Sequence, residues 1–180
     1  MTWMYGLLGQ AWNVLGGYAG QISLGQTVYF GMGAYTSTYL AIHLGLSPWL
    51  GMVAGAIVST GLALAVGYPC FRLRGKYFVI ASIALLFIVQ IAVTNLGPLG
   101  GACGLTVPIK ASSLLNLQFH ATKAPYYYIF FLFFAVSNAI VYFIERTKVG
   151  YYFRAMGQDQ EAAESLGINS TRFKLLAAAI

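Results

Sequence analysis

The alternation of long apolar runs with short polar ones predicts helices that cross a membrane. A spanning helix needs about 20 mainly apolar residues, because roughly 30 Å of hydrocarbon is crossed at about 1.5 Å per residue. Stretches 48–67, 77–95 and 125–144 meet that length cleanly. Pro48 and Pro125 stand where helices start, while Trp49, Tyr126, Tyr127 and Tyr128 stand where interfacial aromatic belts are expected. Nearer the N-terminus the pattern breaks, since the apolar runs 3–15 and 27–40 are separated by a polar, Gly-rich segment at 16–26. Irregular backbone at membrane depth persists only where protein buries it or where it lines a cavity, because hydrocarbon cannot satisfy free N–H and C=O groups. The expectation is two short or broken helices meeting at a Gly-rich turn. Gln21, Ser23 and Gln26, with Tyr18, are candidates to line a translocation path. The competing reading is close helix packing through the pairs Gly16/Gly20 and Gly51/Gly55. Gln90 and Asn95 are polar groups in an otherwise apolar span. Both read as hydrogen-bonding groups between helices, and Asn95 also as a candidate for the path.

Composition narrows the class. Hydrophobic residues make up 59% of the chain and charged ones only 8%, against about a quarter charged in soluble domains. No Asp, Glu, Lys or Arg precedes Arg72, and water would not hold such a stretch in solution. The net charge of +6 is carried in short segments between apolar runs, which is the positive-inside pattern rather than a nucleic-acid surface. Arg72, Arg74 and Lys76 form one basic segment; Arg146, Lys148, Arg154, Arg172 and Lys174 form another. An even number of spans separates them, so both lie on one side, which the rule makes cytoplasmic. Residues 97–124, with Lys110 and Lys123, and the turn at 43–47 then lie outside. On this count Met1 begins outside and 173–180 begin a further span. The expected fold is an all-α polytopic membrane protein with about five transmembrane helices plus the start of another, truncated at both ends. Residues 1–180 form one transmembrane domain, with 97–124 as its external loop and 145–174 as its cytoplasmic loop.

Several chemistries are excluded. The segment Cys70-Phe71-Arg72-Leu73-Arg74-Gly75-Lys76-Tyr77 lacks both the first glycine and the Ser or Thr of a phosphate-binding loop. Its basic residues read instead as topology determinants and contacts for anionic lipid. Cys70 and Cys103 fall on opposite sides and read as packing residues, and His43 and His120 have no metal-ligating neighbours at suitable spacing. Glu145, Asp159, Glu161 and Glu164 are the only acids, all in one cytoplasmic stretch, and no nucleophile set accompanies them. No enzyme, metal, cofactor or nucleic-acid partner is expected.

That polar stretch has its own helix grammar. Asp159 caps an N-terminus, Glu161 and Glu164 favour the positive end of the dipole, and Gly167 stands where a C′ glycine stops a helix. Asn169 or Ser170 then caps the next helix, which carries Arg172 and Lys174 at the membrane interface. The reading is a short rigid helix over 159–166, held off the membrane and presenting Ala162, Ala163 and Leu166 along one side.

Glu161-Ala162-Ala163 followed by Gly167 resembles the EAA loop of permease subunits of bacterial ABC importers. Gly17-Tyr18-Ala19-Gly20-Gln21-Ile22-Ser23-Leu24-Gly25-Gln26, Arg72-Leu73-Arg74-Gly75-Lys76-Tyr77-Phe78 and Gly100-Gly101-Ala102-Cys103-Gly104-Leu105 resemble, in order, three segments of the branched-chain amino-acid permease family. The Ile-x-Leu-Pro ending of the broader importer pattern is absent here, as is common in the amino-acid branch. The resemblance covers essentially the whole chain. It implies that 158–167 is the coupling helix, with Asp159, Glu161, Ala162, Ala163, Leu166 and Gly167 against ABC ATPase subunits that hold ATP and Mg. It also implies a second permease subunit, a periplasmic or lipid-anchored substrate-binding protein, and a bacterial inner membrane. A urea or short-amide permease shares this scaffold and stays open as an alternative. A passive channel would not need the helix at 161–167.

Overall fold

The computed structural model describes residues 2–73, 75–107, 113, 116–119 and 123–180. Met1, Arg74, Lys110 and His120, named above, lie outside them. The described residues form α1 (Thr2–Asn13), α2 (Gln26–His43), α3 (Pro48–Cys70), α4 (Lys76–Asn95), α5 (Ala124–Glu145), α6 (Lys148–Gln158), α7 (Gln160–Ser165) and α8 (Ser170–Ala179). A π-helical turn, Val14–Tyr18, continues α1, and short 3-10 turns at Gly97–Leu99 and Gly101–Cys103 follow α4. Among the described residues three helices, α3, α4 and α5, are long and apolar enough to cross a membrane. They coincide with the three runs the hydropathy pattern predicts. Pro48 and Pro125 sit in the first turns of α3 and α5, where a missing N–H costs nothing.

Helices α2 and α3 pack through small residues. A Cβ on Gly55 would stand 2.7 Å from the Gly33 carbonyl oxygen, and one on Gly51 would stand 2.5 Å from Ser37 Oγ. The Ser59 hydroxyl donates to the Tyr29 carbonyl at 2.9 Å, a helix-to-helix bond that such close backbones permit. Gly51 and Gly55 are thus a packing pair, as expected. Gly16 and Gly20 are not: the helix ends between them, Gly16 faces its own Trp12, and Gly20 adopts φ +67 beyond the turn.

The core lies at one end of the bundle, the end that carries Arg72 and Arg146, called the basic end below. Val14, Leu15, Ala19, Phe71, Phe78, Val141, Phe153, Met156, Ala163 and Ala177 form it, with Phe71 and Phe78 stacked at 5.1 Å between ring centroids. The spans themselves stay apolar outside, with Ile57 68%, Ile88 64% and Leu132 62% exposed. Such surfaces suit hydrocarbon or another protein. Stretch 145–174 packs against the ends of the spans. Its α6 turns the buried side chains of Phe153 and Met156 into the core.

At the opposite end, Trp3 packs edge-on against Tyr127 and Phe131 at 5.8 and 5.0 Å. Tyr126 does more than form an aromatic belt. Its hydroxyl donates to the Leu117 carbonyl at 2.9 Å and accepts from the Phe119 N–H at 3.1 Å, tying these two residues of the 97–124 loop to the start of α5. Cys70 and Cys103 are free thiols at opposite ends of the bundle.

Candidate functional site

The local sequence fixes both ends of α7. Asp159 Oδ1 accepts from the N–H groups of Glu161 at 2.9 Å and Ala162 at 3.1 Å. At the other end the Gly167 N–H donates to the Glu164 carbonyl at 2.9 Å and the Ile168 N–H to the Ala163 carbonyl at 3.1 Å. With Gly167 at φ +85 this is a Schellman ending, which only a residue tolerant of left-handed backbone closes cheaply. Asn169, rather than Ser170, caps α8, its Oδ1 accepting from the Arg172 N–H at 3.1 Å.

The faces of α7 differ from the expectation. Ala163 is 2% exposed and belongs to the core, so it is no part of an outward surface. A helix of barely two turns has one inward position per turn, and here that position packs under α6 and α8. Glu161, Ala162, Ser165 and Leu166 face outward, and Leu166 is 82% exposed. Glu164 does not serve the helix N-terminus. Its carboxylate is turned toward α8, accepting from the Gln160 amide at 2.8 Å and from the Ser170 hydroxyl.

Lys174 carries the largest departure. Expected at the membrane interface, it is fully buried, and its Nζ donates to Gln160 Oε1 at 2.7 Å. The Gln160 amide in turn reaches Ser170 Oγ at 3.3 Å. Gln160, Glu164, Ser170 and Lys174 thus join α7 to α8. The signal was present as two polar i,i+4 pairs, Gln160/Glu164 and Ser170/Lys174, on consecutive short helices.

The backbone of the segment between α1 and α2 bonds to groups on α1, the π-helical turn and α4. The Gln21 N–H donates to the Leu15 carbonyl at 3.0 Å, the Leu24 N–H to Ser82 Oγ at 3.2 Å, and Trp12 Nε1 to the Ser23 carbonyl at 3.0 Å. Gly20 lies on α6, where its Cβ would stand 2.8 Å from Gly157 Cα. The Tyr18 hydroxyl donates to Glu145 Oε2 at 3.4 Å, and Glu145 also pairs with Arg154, closing the α5–α6 corner. Gln21 and Ser23 are buried, and the Gln26 amide donates to the Ala11 carbonyl at 2.9 Å. Tyr18, Gln21 and Gln26 thus make hydrogen bonds around the segment, and the Ser23 carbonyl takes the Trp12 indole. Asn95, at the far end of α4, donates to its own helix at Ile91 O, 2.8 Å away.

A mostly apolar groove of about 400 Å³ lies between α2 and α4, with Thr27, Tyr35, Gln90 and Thr94 as its polar side chains. Thr27, Gly31 and Tyr35 line one wall and Leu86, Gln90 and Thr94 the other. Its lining runs from Thr27, the residue after Gln26, to Tyr35 on α2 and from Leu86 to Thr94 on α4. The i,i+4 repeats 27/31/35 and 86/90/94 mark one face on each helix. Polar residues of spanning helices commonly face protein or a wet cavity rather than lipid.

The family described as branched-chain amino acid transport system / permease component matches residues 1–180. The high-affinity branched-chain amino acid transport system permease protein LivM of Salmonella typhimurium is 29% identical over 98% of the chain and 47% of its own length. LivM of Escherichia coli is 26% identical over the same shares. The chain thus spans about half the length of these curated relatives. No solved structure matches it. With the match running the full length of the chain and three apolar helices long enough to span a bilayer, this multi-pass membrane protein belongs to the branched-chain amino acid transport permease family.

Proposed function

We propose that the chain is a transmembrane subunit of an ATP-driven importer that moves branched-chain or similar hydrophobic amino acids across a bacterial cytoplasmic membrane. The observation that carries this reading is α7: a helix capped at both ends, anchored inward by Ala163 and presenting Glu161, Ala162 and Leu166 outward, within the motif that resembles an ATPase-coupling loop. ATP and Mg sit on partner ATPase subunits. Closure of those subunits pushes α7, and the attached helices rock between outward-open and inward-open states. The loop at 97–124 helps to receive a substrate-binding protein, and a second permease subunit completes the path.

Reversing the charge on the outer face of α7 tests the ATPase contact. Glu161→Lys in the full-length protein is expected to leave membrane insertion intact and to abolish co-purification of the ATPase. Normal co-purification would remove the docking role. The groove between α2 and α4 is our candidate for the surface the substrate passes, because neutral hydroxyl and amide groups can meet a zwitterion without binding it tightly. Gln90→Leu removes one such partner, so uptake of radiolabelled leucine by reconstituted transporter should fall about 2- to 10-fold. Unchanged uptake would move the path elsewhere.

A further inference from the structure

A fully buried lysine needs a structural reason, since leaving water costs several kcal/mol unless strong partners replace it. Lys174 has such a partner in Gln160, and through Gln160 it belongs to the group that includes Glu164 and Ser170. On its other side α7 is joined to α6 by a single extended residue, Asp159, at φ −151 and ψ 111. α8 meets α3 through a side chain on a glycine: Leu175 Cδ2 lies 3.2 Å from a Cβ placed on Gly67 of α3. Ala177 sits in the same core as Val14, Leu15 and Ala19 of the segment between α1 and α2.

We infer that Gln160, Glu164, Ser170 and Lys174 form a clasp that makes α7 and α8 move as one body, with Lys174 as its positioning residue. Displacement of α7 then passes to α8, to α3 and to the Gly-rich segment. This rests on α7 being the ATPase contact. It predicts that breaking the clasp uncouples transport without releasing the ATPase.

The test uses the full-length chain, purified with its ATPase and second permease subunits and reconstituted with the binding protein. Lys174→Met keeps the buried volume and removes the donor. We expect the ATPase to co-purify as with the wild type, ATP hydrolysis to continue, and leucine taken up per ATP hydrolysed to fall roughly tenfold. Glu164→Gln, which removes the one carboxylate of the group around the buried Lys174, should lower the ratio in the same direction. A wild-type ratio of uptake to hydrolysis in Lys174→Met overturns the proposal. Loss of co-purification overturns it too, because Lys174 then only shapes the docking face. Should Lys174→Met fail to accumulate, Ser170→Ala deletes one hydroxyl and is read the same way. If the wild-type chain itself captures no ATPase, the docking reading falls instead. The clasp is then scored by subtilisin nicking within 158–167, expected to be roughly fivefold or more faster in Ser170→Ala. Equal rates would show that no clasp holds α7.

Discussion

Leu166→Asp is expected to strip the ATPase subunits from the assembled transporter while leaving the permease in the membrane. Leu166 is 82% exposed at the end of α7, an unusual place for a large aliphatic side chain on a loop otherwise rich in polar groups. Its neighbours on the outer face, Glu161, Ala162 and Ser165, are small or acidic, so Leu166 supplies the apolar area that a partner pocket would bury. An anchor of this kind at an interface is commonly worth 2 kcal/mol or more, roughly 30-fold in affinity, and a carboxylate placed in its pocket adds a desolvation penalty. The fold should not suffer, because Leu166 touches water and its N–H bonds to the Ala162 and Ala163 carbonyls do not depend on the side chain. Capture through a tagged ATPase, with membrane yield measured in parallel, reads both effects. Full retention of the ATPase would mean that α7 is no contact.

The second large effect concerns the contact between Gly20 and Gly157. Gly20→Val places a β-branched side chain at φ +67 and drives its Cβ to 2.8 Å from the Gly157 backbone. Left-handed strain and overpacking each cost about 1–3 kcal/mol, and backbone on the far side of the contact has no rotamer to yield. We expect a loss of about 3 kcal/mol or more, seen as a lower yield and an earlier thermal transition in size-exclusion melts of the detergent-solubilised protein. Gly9→Ala is the control: it lies on α1 with nothing within 4 Å of an added Cβ, and should be neutral or slightly stabilising. A Gly20→Val variant as stable as Gly9→Ala would sink the account of a backbone-close junction.

What the sequence made legible follows from range. Helix lengths, the proline starts, the Asp159 cap and the Gly167 ending are set within a few residues, and each was readable as pattern. Lys174 was not, because a lysine near the start of an apolar helix reads as an interfacial charge until α7 is folded over it. Ala163 failed for a different reason: on so short a helix there is no repeat from which to tell inside from outside. The pair Gly16/Gly20 shows the limit of spacing arguments, since i,i+4 means one face only while the helix lasts, and here it ends at Tyr18. The groove between α2 and α4 was half visible, as polar Gln90 in an apolar run, but its opposite wall could be named only once the two helices were side by side.

The position of the core has a consequence for the newborn chain. Tyr18 and Glu145 are 127 positions apart in sequence yet share a hydrogen bond at the basic end, and Phe153, Met156 and Gly157, which cover the same segment, are synthesised later still. At about 5–20 residues per second, the first helices wait on the order of 6–25 s in the bilayer before the groups that seal their glycine-rich corner leave the ribosome. During that interval the corner depends on its own internal bonds from Trp12, Gln21 and Gln26. Those polar residues therefore also act as a self-contained holding structure for an unfinished protein.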